Sequence, residues 1–67
     1  MTHVLATVEH DGFKLQVIVD YNKDIYAVYA CYYDNKRRKR KIYESRYFGK
    51  ALQHVADIVC GKVNFYV

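Results

Sequence analysis

The chain contains no proline and no tryptophan, and only three glycines, two cysteines and one methionine. Without proline, no strand or helix is interrupted by a residue that lacks an N–H donor. The scarcity of glycine, and the absence of any Ser/Gly-rich or polar tail, excludes a flexible linker, so order is expected nearly from end to end. No uncharged run inside the chain exceeds Ile25 to Tyr33, far short of the roughly 20 residues of a membrane helix. The opening Met-Thr-His-Val has neither the basic start nor the long apolar stretch of a secretory signal. An intracellular location is expected, cytoplasmic or, in a eukaryotic host, nuclear, with no membrane as partner.

Cys31 and Cys60 form no C-x-x-C and have no histidine at metal-ligand spacing. Two buried free thiols are expected in preference to a disulfide. His3 and His10, seven apart, are expected on opposite faces of one strand, where they cannot share a metal; His54 is expected on the wet side of a helix. Paired carboxylates, a Gly-rich phosphate loop and a nucleophile–base pair are all missing. A chain of 67 residues has room for one core and one compact domain, 1–67, and domains this small rarely enclose a ligand pocket. The expectation is a protein that is not an enzyme and needs no cofactor or metal.

What the chain has is concentrated charge and many tyrosines. Of its 11 Lys and Arg, six stand consecutively from Lys36 to Lys41. The other five positive charges face seven negative ones, so the rest of the chain is at −2. This is a mildly acidic domain with one basic stripe. Eight residues are tyrosine, most of them suited to half-buried sheet positions with a wetted hydroxyl.

Hydrophobic periodicity supplies the fold. From Val4 to His10, Val4, Ala6 and Val8 alternate with polar Thr7 and Glu9. Asp11-Gly12 is a two-residue hairpin signal, since both central positions of that turn require positive φ. Phe13, Leu15, Val17 and Val19 follow at strict period two. Asn22-Lys23-Asp24 reads as a second turn, and Ile25 to Tyr33, apolar on both faces, as a central strand. Asp34-Asn35 reads as a third turn into a fourth strand, Arg37 to Tyr43. Phe48, Ala51, Leu52, Val55, Ala56 and Val59 then fall at helical spacing, opposite Lys50, Gln53, His54 and Asp57. Either Ser45 caps this helix, or the fourth strand runs to Phe48 and the helix starts near Gly49, which is the preferred reading. Gly61 sits at a C-cap position, and Val63, Phe65 and Val67 alternate as a last strand. The expected class is α+β: an antiparallel meander in the order β-β-β-β-α-β, with one amphipathic helix on one sheet face.

The third hairpin sets aromatic beside basic residues. With Asp34-Asn35 as loop, Tyr33 pairs with Lys36, Tyr32 with Arg37, Cys31 with Arg38 and Tyr29 with Arg40. Lys and Arg neutralise phosphates, while tyrosine rings stack on bases or support guanidinium planes. Tyr29, Tyr32, Tyr33, Lys36, Arg37, Arg38, Lys39, Arg40 and Lys41 are therefore the candidate contacts to DNA or RNA. A basic edge strand that only blocks aggregation, a nuclear localisation signal and a dock for an acidic protein surface are the competing readings of the same run.

From Tyr26 to Val59, about half the chain, the layout resembles two related DNA-binding groups: the arm-binding domains of tyrosine integrases and the ethylene-response-factor type domains of plants and mobile elements. The resemblance rests on the strand Ile25 to Tyr33, the turn Asp34-Asn35, basic Arg37 to Lys41, Phe48, and a helix bearing Ala51, Leu52 and Val55. The segment Gly61 to Phe65 is similar to the one that often follows that helix. It implies a sheet laid on a helix, with Arg38, Arg40 and neighbouring tyrosines contacting DNA. The chain departs from the pattern in lacking tryptophan and in carrying the extra hairpin Val4 to Val19. The alternative function is a small inhibitor or adaptor of the kind phages and mobile elements encode, binding a host protein through a tyrosine-rich sheet face. The uncovered sheet face also permits a homodimer.

Overall fold

A computed structural model describes residues 1–32 and 35–63, without the side chains of residue 32 and residues 35–38. Strands β1 (Thr2–His10), β2 (Phe13–Asp20), β3 (Ile25–Tyr32) and β4 (Asn35–Ser45) precede helix α1 (Phe48–Val59). The strands form one antiparallel sheet in the order β1-β2-β3-β4, and α1 packs on one of its faces, mainly over β3 and β4. The α+β class expected from the sequence is the one observed. Of the expected last strand, Val63 lies outside any strand and packs against the core; Phe65 and Val67 fall outside the described residues.

Local chemistry accounts for each connection. Asp11 and Gly12 take φ of 51° and 79°, and His10 pairs directly with Phe13, as a two-residue primed turn requires. In the second turn the Asp20 carboxylate accepts the backbone N–H of Asn22 at 3.0 Å and of Lys23 at 3.4 Å, while Asp24 takes a φ of 55°. Asn35 belongs to β4 and pairs with Tyr32, so it is not a turn residue as expected. Tyr33 and Asp34 lie outside the described residues.

Strands β2 and β3 are central, paired on both edges, and they supply the sheet's share of the core under the helix. Leu15, Val17, Val28 and Ala30 on the sheet meet Ala51, Val55 and Ile58 on α1, with Val28 and Ala51 at 0% exposure. Each buried Val, Leu or Ile contributes about 1.5–3 kcal/mol of transfer free energy, so these few side chains dominate the stability. Ala6 and Val8 of β1 and Tyr43 of β4 close the flanks.

Several expectations are corrected. A β-bulge between Val4 and Ala6 reverses the facing of β1, so Val4 stands opposite Ile18 and away from Ala6 and Val8. It also brings His3, opposite Val19, and His10, opposite Phe13, onto the same side, because the extra residue cancels the odd spacing. Strand β4 ends at Ser45, short of the expected Phe48, while the helix starts at Phe48, next to the preferred Gly49; Ser45 Oγ accepts the Tyr47 N–H at 3.1 Å and so turns the chain ahead of the helix without capping it.

The helix is also rolled relative to the expected stripe. Ile58 is buried, whereas Leu52 and Val59 remain 39% and 44% exposed. Two ring contacts set the roll: His54 stacks on Tyr43 at 4.2 Å with planes 10° apart, and Phe48 meets Tyr26 at 5.5 Å. His54 is thus half-buried against the sheet, not on the wet side. At the far end Gly61, at φ 81°, donates to Ile58 O at 3.1 Å and the Lys62 N–H to Asp57 O at 2.8 Å, the paired bonds of a Schellman cap. Cys31 is a buried free thiol as expected, but Cys60, just past the helix, is exposed.

Candidate nucleic-acid interface

Strand alternation decides which candidate residues share a surface. Gln16 pairs with Tyr29 and Tyr29 with Lys41; Lys14 pairs with Cys31 and Cys31 with Lys39. These rows lie on the face opposite α1, since the intervening Ala30 and Val28 belong to the core under the helix. The Cys31 thiol donates to Gln16 Oε1 at 3.6 Å, and Lys39 Nζ lies 5.4 Å from the centre of the Tyr29 ring. Tyr29, Lys39 and Lys41 therefore form one cluster on the open face.

The pairing differs from the expected register. Tyr29 faces Lys41, not Arg40, and Cys31 faces Lys39, not Arg38, because the pairing with β4 is irregular between Cys31 and Tyr32; a second irregularity lies beyond these pairs. One irregularity falls at Ile42, between the pairs Val28–Tyr43 and Tyr29–Lys41. The other falls between Cys31–Lys39 and Tyr32–Asn35, which leaves Lys36, Arg37 and Arg38 extra on the β4 side. Arg40 pairs with Ala30 and so shares the helix-bearing face, parted from Tyr29 and the two lysines. The side chains of Tyr32, Lys36, Arg37 and Arg38, and all of Tyr33, lie outside the described residues.

Electrostatics around the cluster are simple. Lys41 Nζ donates to Glu44 Oε2 at 3.0 Å, with both side chains about half exposed. The Glu44 hydrogen bond and its charge raise the Lys41 pKa above the ordinary 10.5, so the ammonium stays charged at neutral pH. Exposed cations of this kind act on a ligand through a screened field, which weakens with added salt.

Next to the cluster the open face dips into a depression of about 280 Å³. Ile18 and Ala27 form part of its lining, and Tyr29, Lys41 and Glu44 stand along it. Lys14 and Gln16 complete the surface, a contribution legible in the polar positions of β2 although not among the expected contacts. Glu44 was not expected either, since its role depends on the irregular register of β4. Among the described residues no three His, Cys, Asp or Glu side chains are grouped to hold a metal, and no helix is long and apolar enough to cross a membrane.

Comparison of the chain with protein-family models, curated proteins and solved structures returns no match.

Proposed function

We propose that this protein binds nucleic acid through the open face of its sheet and acts as a small regulatory protein with no chemistry of its own. The observation that carries the reading is the cluster of Lys39, Tyr29 and Lys41 on the sheet face opposite the helix. A tyrosine with two lysines of the neighbouring strand beside it offers a stacking surface next to two phosphate contacts. Lys36, Arg37 and Arg38 continue the same strand and add positive field. Arg40 stands on the other face, where it strengthens the local potential without sharing a contact surface with Tyr29. The integrase-arm and ethylene-response-factor resemblance is compatible with sheet-mediated binding, although in this register Arg40 is not a partner of Tyr29.

The test is fluorescence anisotropy with labelled DNA and RNA across a salt series. Each lost phosphate contact lowers the slope of log K against log salt by about 0.7–0.9. The double variant Lys39→Gln/Lys41→Gln is therefore expected to flatten the slope by about 1.5, and a variant neutralising Arg37, Arg38, Lys39 and Arg40 to weaken binding further. No binding at low salt by the folded wild type would overturn the proposal and direct attention to an acidic protein partner.

A further inference from the structure

The depression beside the lysines has a composition that phosphate binding alone leaves unexplained. Ile18 and Ala27 are only 8% and 7% exposed, although both lie on the face opposite the helix, with Ile18 paired to Ala27 and Ala27 to Glu44. Longer side chains around them make a hollow of about 280 Å³ with an apolar floor and a polar rim that includes Thr2, Lys23 and Lys41, walled on one side by the half-buried Tyr29. Its two acidic neighbours are both engaged: Glu44 with Lys41, and Asp20 with the backbone N–H groups of Asn22 and Lys23. Both anions thus sit beside hydrogen-bond donors, which lessens their opposition to a polyanion at the rim.

Resting on the nucleic-acid reading above, we infer that the ligand is a single strand, with one unpaired base seated in the hollow against Tyr29 and its phosphates on Lys39 and Lys41. A duplex offers phosphates and groove edges, while its base faces are hidden in the stack, so it would meet the lysines and leave the hollow empty. An unpaired strand carries bare aromatic faces immediately beside its phosphates, which is the pairing of surfaces found here. Stacking of one base on one aromatic ring is sequence-tolerant, so no strong base preference follows from it.

The experiment compares oligo(dT), oligo(rU) and a mixed-sequence duplex of equal length by anisotropy, using the full chain and the variants Tyr29→Leu, Tyr29→Phe and Ala27→Ile. Single strands are expected to bind more tightly than the duplex. Tyr29→Leu should weaken single-strand binding about five- to hundred-fold, the cost of one lost stack, with the salt slope and duplex binding unchanged. Tyr29→Phe should retain most of the affinity. Ala27→Ile fills the hollow and should act like Tyr29→Leu; if it fails to fold, the Tyr29 pair decides. Duplex binding as tight as single-strand binding, or equal losses on both ligands in Tyr29→Leu, would overturn the inference while leaving the nucleic-acid reading intact. Absence of binding to all three ligands would remove that reading itself.

Discussion

His54 shows how one residue's surroundings set its chemistry. Stacked on Tyr43 and half-buried, its imidazole has a pKa lowered from 6.5 by desolvation, which the nearby Asp57 charge only partly offsets. A histidine with a depressed folded-state pKa binds fewer protons folded than unfolded in the window between the two values. Its contribution to stability is complete above about 6.5 and is lost as the pH falls through that window. His54→Phe keeps a ring against Tyr43 and removes the proton. Urea midpoints measured from about pH 7.5 down to about pH 5 are expected to fall more for the wild type than for the variant; parallel profiles would show that His54 contributes nothing to the acid sensitivity. The sequence placed His54 on the polar side of a helical wheel. Its burial depends on Tyr43, a residue of another element, which no wheel contains.

At the level of elements, the first hairpin was legible down to its dihedral angles, because Asp-Gly between two alternating runs satisfies a local rule. Gly12 stands at φ 79° with no atom near the position of an added Cβ, so Gly12→Ala introduces backbone strain and no collision. A cost of about 1–2 kcal/mol is expected, read as a lower urea midpoint at unchanged m-value. The β3–β4 hairpin was legible as a pair of strands but not in register. Its irregularity near Tyr32 exchanges Arg40 for Lys41 beside Tyr29, and the one at Ile42 shifts the pairs beyond. A one-residue slip transfers every later side chain to the opposite face, so small irregularities rewrite the candidate surface. The bulge near Leu5 acts likewise on Val4 and His3.

For the molecule as a whole, the small core leaves little margin. A chain of this length has a total stability of about 3–10 kcal/mol, and truncating one fully buried leucine costs about 2–5 kcal/mol. Leu15→Ala is therefore expected to populate the unfolded state at room temperature, whereas Ile58→Val, at about 0.5–1.5 kcal/mol, should stay folded with a lower urea midpoint. A Leu15→Ala protein as stable as the wild type would mean that the sheet–helix core is not the seat of stability.

The sequence by itself determined what depends on neighbours along the chain: two strands from period-two alternation and two more from an apolar run and the turn after it, the primed turn at Asp11-Gly12, one amphipathic helix capped at Gly61, and six of the 11 positive charges concentrated in a single strand. The tertiary structure decided what depends on residues distant in the chain. Those are the roll of the helix that buries Ile58 and His54 and leaves Leu52 outward, the bulges that sort β1 and β4 onto their faces, and the meeting of Tyr29 with Lys39 and Lys41 over the Ile18–Ala27 hollow. Period and turn chemistry act over a few residues, whereas register and helix roll are settled only when whole faces compete for burial.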